Sequence, residues 1–98
     1  NDMKVFVPFA MILLADFEGE QKHSAEAIHY AEQAIQLAKP GNSPRALYSA
    51  HLTLAKLYFE KGKTTEARQL AEQSRAEAEA FGSGEDAKEA EDFLQKHP

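Results

Sequence analysis

Apolar residues recur along most of this chain at the spacing of an amphipathic α-helix. Between positions 47 and 58 they fall three or four positions apart, at Leu47, Ala50, Leu54, Leu57 and Tyr58. That spacing gathers them into one buried stripe of a helix. Ala, Glu, Gln, Lys and Leu make up about half of the chain, as they often do in helical repeats. The sequence therefore predicts an all-α protein.

Loop signals divide the chain into five predicted helices. The segment 39–44 contains two prolines, a glycine and an asparagine, and it is the clearest loop in the sequence. Gly62 marks a second, tight turn, and Gly82 and Gly84 mark a third. We expect helices at about 8–21, 24–39, 44–61, 65–81 and 85–96.

Residues that favour helix starts occur near three of these boundaries. Pro8 is expected in the first turn of the first helix, where its missing N–H costs nothing. Ser24 is predicted to be the N-cap of the second helix, and Thr64 or Thr65 the N-cap of the fourth, since a hydroxyl oxygen there can accept a free backbone N–H.

An internal repeat becomes visible when the chain is compared with itself at a 40-residue offset. The offset aligns the segment 31–34, Ala-Glu-Gln-Ala, with the segment 71–74, Ala-Glu-Gln-Ser. It also links three copies of the first helix of each unit, through Val7, Leu47 and Ala87, through Ala10, Ala50 and Ala90, and through Leu14, Leu54 and Leu94. We expect a single domain over 1–98, with repeat one at 8–40, repeat two at 44–82 and a capping helix at 85–96.

The second copy resembles the tetratricopeptide repeat, a helix–turn–helix unit. The signature is carried by Leu54, Ala55, Tyr58, Gly62 and Ala67. The resemblance implies that the small residues allow two helix backbones to approach and that the tyrosine fills the space beside them. The usual unit is shorter, at about 34 residues, so the longer period found here is similar to the extended units of the kinesin light chain type. HEAT repeats, which are also about 40 residues long, are the alternative.

The first copy matches the same signature less closely. Leu14, Ala15 and Ala27 fit at the same spacing, but Glu18 replaces the aromatic residue and Lys22 replaces the turn glycine. A register shifted by one residue would instead place Leu13 and Phe17 on the signature positions. The sequence leaves both registers open for the first helix.

The resemblance implies that a ligand would bind in the concave groove lined by the first helix of each unit. In the 40-residue register, the groove-facing residues are predicted to be Phe9, Ile12, Asp16 and Glu20 in copy one, and Ser49, Leu52, Lys56 and Glu60 in copy two, with Phe59 at the edge. This mixture of apolar and charged residues would suit a short peptide or a partner helix.

The first predicted helix is apolar around most of its circumference, whereas the last is rich in charged residues and can act as a cap. Solenoid repeats need neighbours, and about three are required for stability. An apolar end is therefore predicted to be an interface. We expect a homodimer, or the loss of a preceding repeat, with Phe6, Phe9, Ile12 and Leu13 at the centre of the contact.

Composition narrows the classes of partner. The formal net charge of −5 argues against nucleic acid, which is bound mainly through Lys and Arg. The apolar segment 3–15 is too short to span a bilayer, for which about 20 apolar residues are needed. It also resembles a signal peptide, with a buried helix as the other interpretation. The chain has no cysteine, which removes thiolate chemistry but leaves the compartment open, with the cytoplasm slightly favoured over the periplasm.

Catalytic and metal-binding patterns are weak. His23 and His29 lie on different helix faces, and the best local pair, Glu26 with His29 or Tyr30, offers too few ligands for a metal. The many carboxylates between 72 and 91 are typical of a solvated helix face. We therefore expect a protein–protein interaction module without cofactor or enzymatic activity, either a fragment of a longer chain or a small adaptor. A small metal- or ligand-binding helical protein is the alternative.

Overall fold

The structure is a computed structural model that describes residues 3–39 and 43–97, with side chains described from Val7 onward. Those residues form five α-helices and no strand. The helices are α1 (Met3–Glu20), α2 (Ser24–Ala38), α3 (Pro44–Glu60), α4 (Thr64–Phe81) and α5 (Gly84–Lys96). The prediction of an all-α fold with five helices is confirmed.

Consecutive helices pack against each other to form two helical hairpins and a final single helix. Helices α1 and α2 form hairpin one, α3 and α4 form hairpin two, and α5 packs against α4. Helix α3 contacts both α1 and α2. This order of packing is consistent with a superhelix of hairpins, in which the first helix of each unit lies on the hairpin before it.

Alanine dominates the interior where the helices cross. Ala27, Ala31 and Ala34 of α2 and Ala67 and Ala71 of α4 are completely buried. Their small side chains let the helix backbones approach closely, while the leucines of α3 fill the spaces on both sides. Leu54 and Leu57 pack with hairpin one, and Leu52 packs with α4 and α5. Helix α3 is therefore the central element of the fold.

Both hairpins close with the same backbone turn. Lys22 and Gly62, which are equivalent in the repeat register, both have a positive φ, of 66° and 84°. The next residue donates to the carbonyl five positions earlier, from His23 to Glu18 at 2.9 Å and from Lys63 to Tyr58 at 2.9 Å. This is the hydrogen bond of a Schellman turn. The turns of the two copies therefore have equal length.

That equality decides the register of the first helix. In the alternative register, Leu13 and Phe17 would occupy the signature positions and pack inward. The structure instead leaves Leu13 70% exposed and Phe17 57% exposed, while Ala15, the counterpart of Ala55, is completely buried. The shifted register is therefore wrong, and the 40-residue register continues through α1.

Two details of the helix starts differ from the sequence prediction. Helix α1 begins at Met3, so Pro8 lies inside the helix rather than in its first turn. Proline in a helix removes one backbone hydrogen bond, and here the proline is completely buried, so packing offsets part of that loss. Ser24 and Thr64 are the first helical residues rather than N-caps, and Thr65 follows inside the helix.

The short turns explain why the predicted hydroxyl caps are absent. In each Schellman turn only one residue separates the positive-φ residue from the next helix. That residue, His23 or Lys63, is the N-cap, and neither side chain makes a capping hydrogen bond. By contrast, Ser83 caps α5 by accepting a hydrogen bond from the backbone N–H of Asp86.

Candidate functional site

Two adjoining cavities extend across α1, α3 and α5, the first helix of each unit, and we refer to them together as the groove. The two cavities share Lys56 and Glu60. A cavity of about 530 Å³ lies between α1 and α3, and one of about 570 Å³ lies between α3 and α5. The residues that line the first are Ala15, Asp16, Gly19, Glu20, Lys22, Thr53, Lys56, Leu57 and Glu60. Those that line the second are Lys56, Phe59, Glu60, Glu89, Asp92, Phe93, Lys96 and His97.

Five of the residues predicted for the groove lie in these cavities. Asp16 and Glu20 of α1 face Lys56 and Glu60 of α3 across the first cavity, and Phe59 lines the second. They are brought together because equivalent positions of the repeat have the same orientation on α1 and α3.

The remaining predicted groove residues lie elsewhere. Ile12 is 8% exposed and Leu52 is 6% exposed, so both belong to the hydrophobic core and not to the groove. Phe9 is half-buried and packs against the core of hairpin one. Ser49 is half-buried and lines neither cavity. Phe9, Ile12 and Leu52 do not line the groove because neighbouring helices pack against the side of α1 or α3 on which they lie.

The contribution of α5 was not predicted, although the sequence contained a signal for it. Glu89, Asp92 and Lys96 line the second cavity. They stand one period after the predicted residues Ser49, Leu52 and Lys56. Extending the 40-residue register into the third copy would have identified Lys96 through Lys56, whereas Ser49 and Leu52 themselves line neither cavity.

The groove carries more negative than positive charge. Its described lining contains five carboxylates and three lysine ammonium groups. Loss of hydration raises the pKa of Asp16 above its ordinary value, Lys56 opposes that rise, and the nearby Glu20 and Glu89 add to it. Lys56 also lies 3.6 Å from Glu89, in a solvent-exposed ion pair of small energetic value. The surplus of carboxylates over lysines in the lining therefore favours a cationic group.

An aromatic cluster forms one end of the groove. The rings of Phe59 and Phe93 meet edge to face at 6.0 Å, and the His97 ring lies 3.9 Å from Phe59 between centroids. Arg68 of α4 fixes the end of α5 by donating to the carbonyl oxygens of His97 at 2.8 Å and Leu94 at 3.1 Å. The groove therefore combines charged walls with an aromatic surface.

The four residues predicted for a dimer contact are not equally accessible. Leu13 is 70% exposed, Phe9 is half-buried, and Ile12 is buried inside the protomer by the packing of α1 on its own hairpin. The side chain of Phe6 lies outside those that the structure describes. Ile12 therefore cannot be at the centre of an interface.

Two of the histidines pair with glutamates. His23 Nδ1 lies 2.6 Å from Glu18 Oε1, and His51 Nδ1 lies 2.7 Å from Glu77 Oε1. Within the described ranges, no three His, Asp or Glu side chains converge as metal ligands. No helix in those ranges has the length and apolarity needed to cross a bilayer.

A separate, mainly apolar cavity of about 700 Å³ lies outside the groove. It is lined by Met11, His29, Glu32, Gln33, Ile35, Gln36, Leu37 and Leu54. Most of these residues belong to α2, with Met11 on α1 and Leu54 on α3, and the cavity does not include the convergent charged residues of the groove.

Comparisons of the chain with protein-family models, with curated proteins and with solved structures gave no match.

Proposed function

We propose that this chain is a tetratricopeptide-like scaffold that binds a peptide or a partner helix in its concave groove. One observation carries the proposal. Side chains of α1, α3 and α5 converge on one continuous groove, which contains Asp16, Lys56, Glu60 and Phe59. A groove that extends over three helices, with scattered charges and an aromatic end, fits an elongated ligand better than a compact one.

The charge of the groove selects the chemistry of the ligand. Its surplus of carboxylates favours a segment that carries Lys or Arg. The ring of Phe59, supported by Phe93 and His97, offers a surface for an apolar or aromatic anchor. The preferred ligand is therefore a basic segment with one or two large apolar side chains. An acidic segment would meet repulsion from the glutamates of the groove.

Among its described lining residues, the first cavity does not combine a hydroxyl nucleophile with a histidine base. Thr53 supplies the only side-chain hydroxyl among the described residues of the first cavity, and no histidine lines that cavity. A hydroxyl nucleophile needs an adjacent general base. The alternative of small-ligand carriage rests on the apolar cavity at Met11 and Leu37.

A selection experiment tests the groove directly. A phage-displayed library of random peptides should yield binders enriched in Lys or Arg together with Phe, Leu or Trp, and fluorescence titration with the synthetic peptides then measures affinity. Glu20→Lys with Glu60→Lys should reduce binding at least tenfold, because both changes reverse the sign of groove charges. Enrichment of acidic peptides, or of none, would contradict the proposal.

A matched control separates the groove from net charge. Glu26→Lys with Glu72→Lys changes the net charge by the same amount at exposed positions of α2 and α4, two helices that contribute no residue to either cavity. It should leave peptide affinity within about twofold, since a distant exposed charge acts weakly at physiological salt. Equal losses in both double variants would show that binding is a nonspecific charge effect.

A further inference from the structure

Helix α1 carries an apolar stripe on the face opposite its core contacts. The stripe consists of Val7, Ala10, Leu14 and Phe17, and we refer to it as the N-terminal stripe. The three large side chains are 37%, 40% and 57% exposed, and Leu13 beside the stripe is 70% exposed. Spacings of three, four and three positions are those of the a and d positions of a coiled coil.

The same stripe occurs on the other first helices, where it is covered. Its counterparts on α3 are Leu47, Ala50, Leu54 and Leu57, and they pack against hairpin one. Ala90 and Leu94, its counterparts on α5, pack against hairpin two. The fold therefore uses this stripe twice as a packing surface, and the copy on α1 is the one that the described part of the chain leaves uncovered.

Most surfaces that could cover the N-terminal stripe are already occupied. The faces of hairpins one and two that receive such a stripe are filled by α3 and α5 of the same chain. The hairpins of a second copy therefore have no free face of this kind on which the N-terminal stripe could dock head-to-tail. The α1 helix of a second copy remains available, because its stripe is exposed in the same way.

We propose that two copies of the chain pair through their N-terminal stripes, with the two α1 helices antiparallel. In this register Val7 lies opposite Phe17 of the second copy, and Ala10 lies opposite Leu14 of the second copy. Each larger side chain then faces a smaller one, which favours close packing. The pairing is self-complementary, so it closes at a dimer.

Charge selects the antiparallel orientation. The last turn of α1 carries Glu18 and Glu20, and its first turn has no acidic residue. Carboxylates are favourable near the N-terminus of a helix and unfavourable beside each other. Antiparallel pairing places the acidic end of each α1 near the N-terminus of the other, whereas parallel pairing would place the two acidic ends together.

Sedimentation velocity over a wide concentration range tests the dimer. The wild-type chain should change from one chain mass, 10.9 kDa, to twice that value as concentration rises. Phe17→Glu should stay monomeric with an unchanged helical circular dichroism spectrum, and Gln69→Glu on the exposed face of α4 should dimerise like the wild type. A wild type that stays monomeric, a larger oligomer, or a dimer that survives Phe17→Glu would overturn the proposal.

Disulfide trapping tests the orientation, since the chain has no cysteine of its own. A mixture of Val7→Cys and Phe17→Cys chains should form a mixed disulfide dimer, and each variant alone should form little. Cross-linking of each variant with itself, without the mixed product, would show parallel pairing and overturn the antiparallel arrangement.

A peptide-binding measurement shows whether the stripe contact and the groove are different sites. The stripe residues line neither groove cavity, so the monomeric Phe17→Glu chain should still bind the peptides selected by the wild type. If Phe17→Glu abolished both dimer formation and peptide binding, the stripe and the groove would be a single site. That result would overturn the proposal that the stripe is a separate contact.

Discussion

Hairpin one and hairpin two close their turns with the same backbone hydrogen bonds but with different side chains. In hairpin one, Glu18 pairs with His23 at 2.6 Å. At the equivalent positions of hairpin two, the ammonium group of Lys63 lies 5.4 Å from the ring centroid of Tyr58. A hydrogen-bonded pair and a cation–π contact thus occupy the same place. The repeated feature is the backbone turn, and its side-chain pair can be exchanged.

The interiors of the two hairpins differ more than their turns. Hairpin two contains the buried His51, whose Nδ1 lies 2.7 Å from Glu77 Oε1. The equivalent positions in hairpin one are Met11 and Leu37, which line the apolar cavity. A polar pair in one copy is therefore replaced by an apolar pair and an open space in the other. The shared architecture does not require the polar pair.

Hairpin two is also joined to the next unit by a polar contact whose residue types are missing from hairpin one. The Tyr48 hydroxyl donates to Asp86 at 2.6 Å, and the Ser74 hydroxyl donates to the Tyr48 carbonyl oxygen at 2.7 Å. The hydrogen bond from Tyr48, together with one from Ser83, lowers the pKa of Asp86. Pro8 and Ala34 occupy the positions of Tyr48 and Ser74 in hairpin one. The hydrogen bond between Tyr48 and Asp86 therefore has no counterpart at the equivalent positions of hairpin one, where Pro8 has no hydroxyl.

The largest expected effect concerns the alanines at which the helices cross. Ala67 of hairpin two and Ala27 of hairpin one are completely buried at equivalent positions. Replacing Ala67 by Leu should destabilise the protein by about 1–3 kcal/mol, because a close-packed crossing has no room for added methylenes. Urea unfolding measures the change, with Ala76→Leu on the exposed face of α4 as the control. An unchanged midpoint for Ala67→Leu would mean that the crossing is not close-packed.

A double-mutant cycle tests whether the polar pair of hairpin two is replaceable. Glu77→Leu alone should cost about 1–3 kcal/mol, because it leaves the buried His51 nitrogen without its partner. His51→Met with Glu77→Leu recreates the apolar pair of hairpin one and should recover most of that loss. Unfolding free energies of the single and double variants, measured by urea titration, give the coupling energy between His51 and Glu77. A double variant that is as unstable as the sum of its single variants would contradict the equivalence of the two interiors.

Substitutions at the two positive-φ turn residues, Lys22 and Gly62, should change the stability of the protein in opposite directions. Lys22 is a non-glycine residue with φ of 66°, and Gly62 has φ of 84°. Lys22→Gly should stabilise the chain and Gly62→Lys should destabilise it, each by about 1 kcal/mol, because side chains disfavour this conformation. No atom lies within 4 Å of a Cβ added at Gly62, so only the backbone is tested. Effects of the same sign in thermal melts would argue against equivalent turns.

The smallest expected effect is a pH dependence at the first turn. The hydrogen bond to Glu18 raises the pKa of the exposed His23 above 6.5. A histidine whose pKa is raised in the folded state contributes stability below its unfolded pKa, and that contribution disappears as pH rises through the folded pKa. NMR titration should find the His23 pKa above 6.5, and Glu18→Gln should lower it. Equal His23 pKa values in the wild type and in Glu18→Gln would show that the two side chains do not form this pair.

The sequence predicted the helices because apolar spacing and loop residues mark their boundaries, and it predicted five of the groove residues through a register counted from the repeat signature. The starts of α2, α3 and α4 fall within one residue of the prediction, since glycine, proline and the apolar spacing all mark the same places. Asp16, Lys56 and Glu60 lie in the groove because a register carries over from one unit to the next. Extended to α5, the same register identifies Lys96 through Lys56.

The remaining features depend on contacts between helices that no local pattern records. The sequence does not show that Pro8 can lie inside α1, because the outcome depends on the burial of its ring. The register counted from the repeat signature predicts Ile12 and Leu52 in the groove, but neighbouring helices cover them. The exposure of Phe17 could likewise not be predicted from its residue type, because it depends on which helices of the described chain pack against α1.

One measurement tests most directly whether the three first helices present the same packing stripe. Leu14 and Leu54 are equivalent, but Leu54 is 5% exposed against hairpin one and Leu14 is 40% exposed. At a concentration at which the chain is monomeric, Leu54→Ala should cost about 2–4 kcal/mol in urea unfolding, and Leu14→Ala less than about 1 kcal/mol. The cost of Leu14→Ala should then grow as concentration favours the dimer. Equal costs in the monomer, or a Leu14→Ala cost that is independent of concentration, would contradict the account.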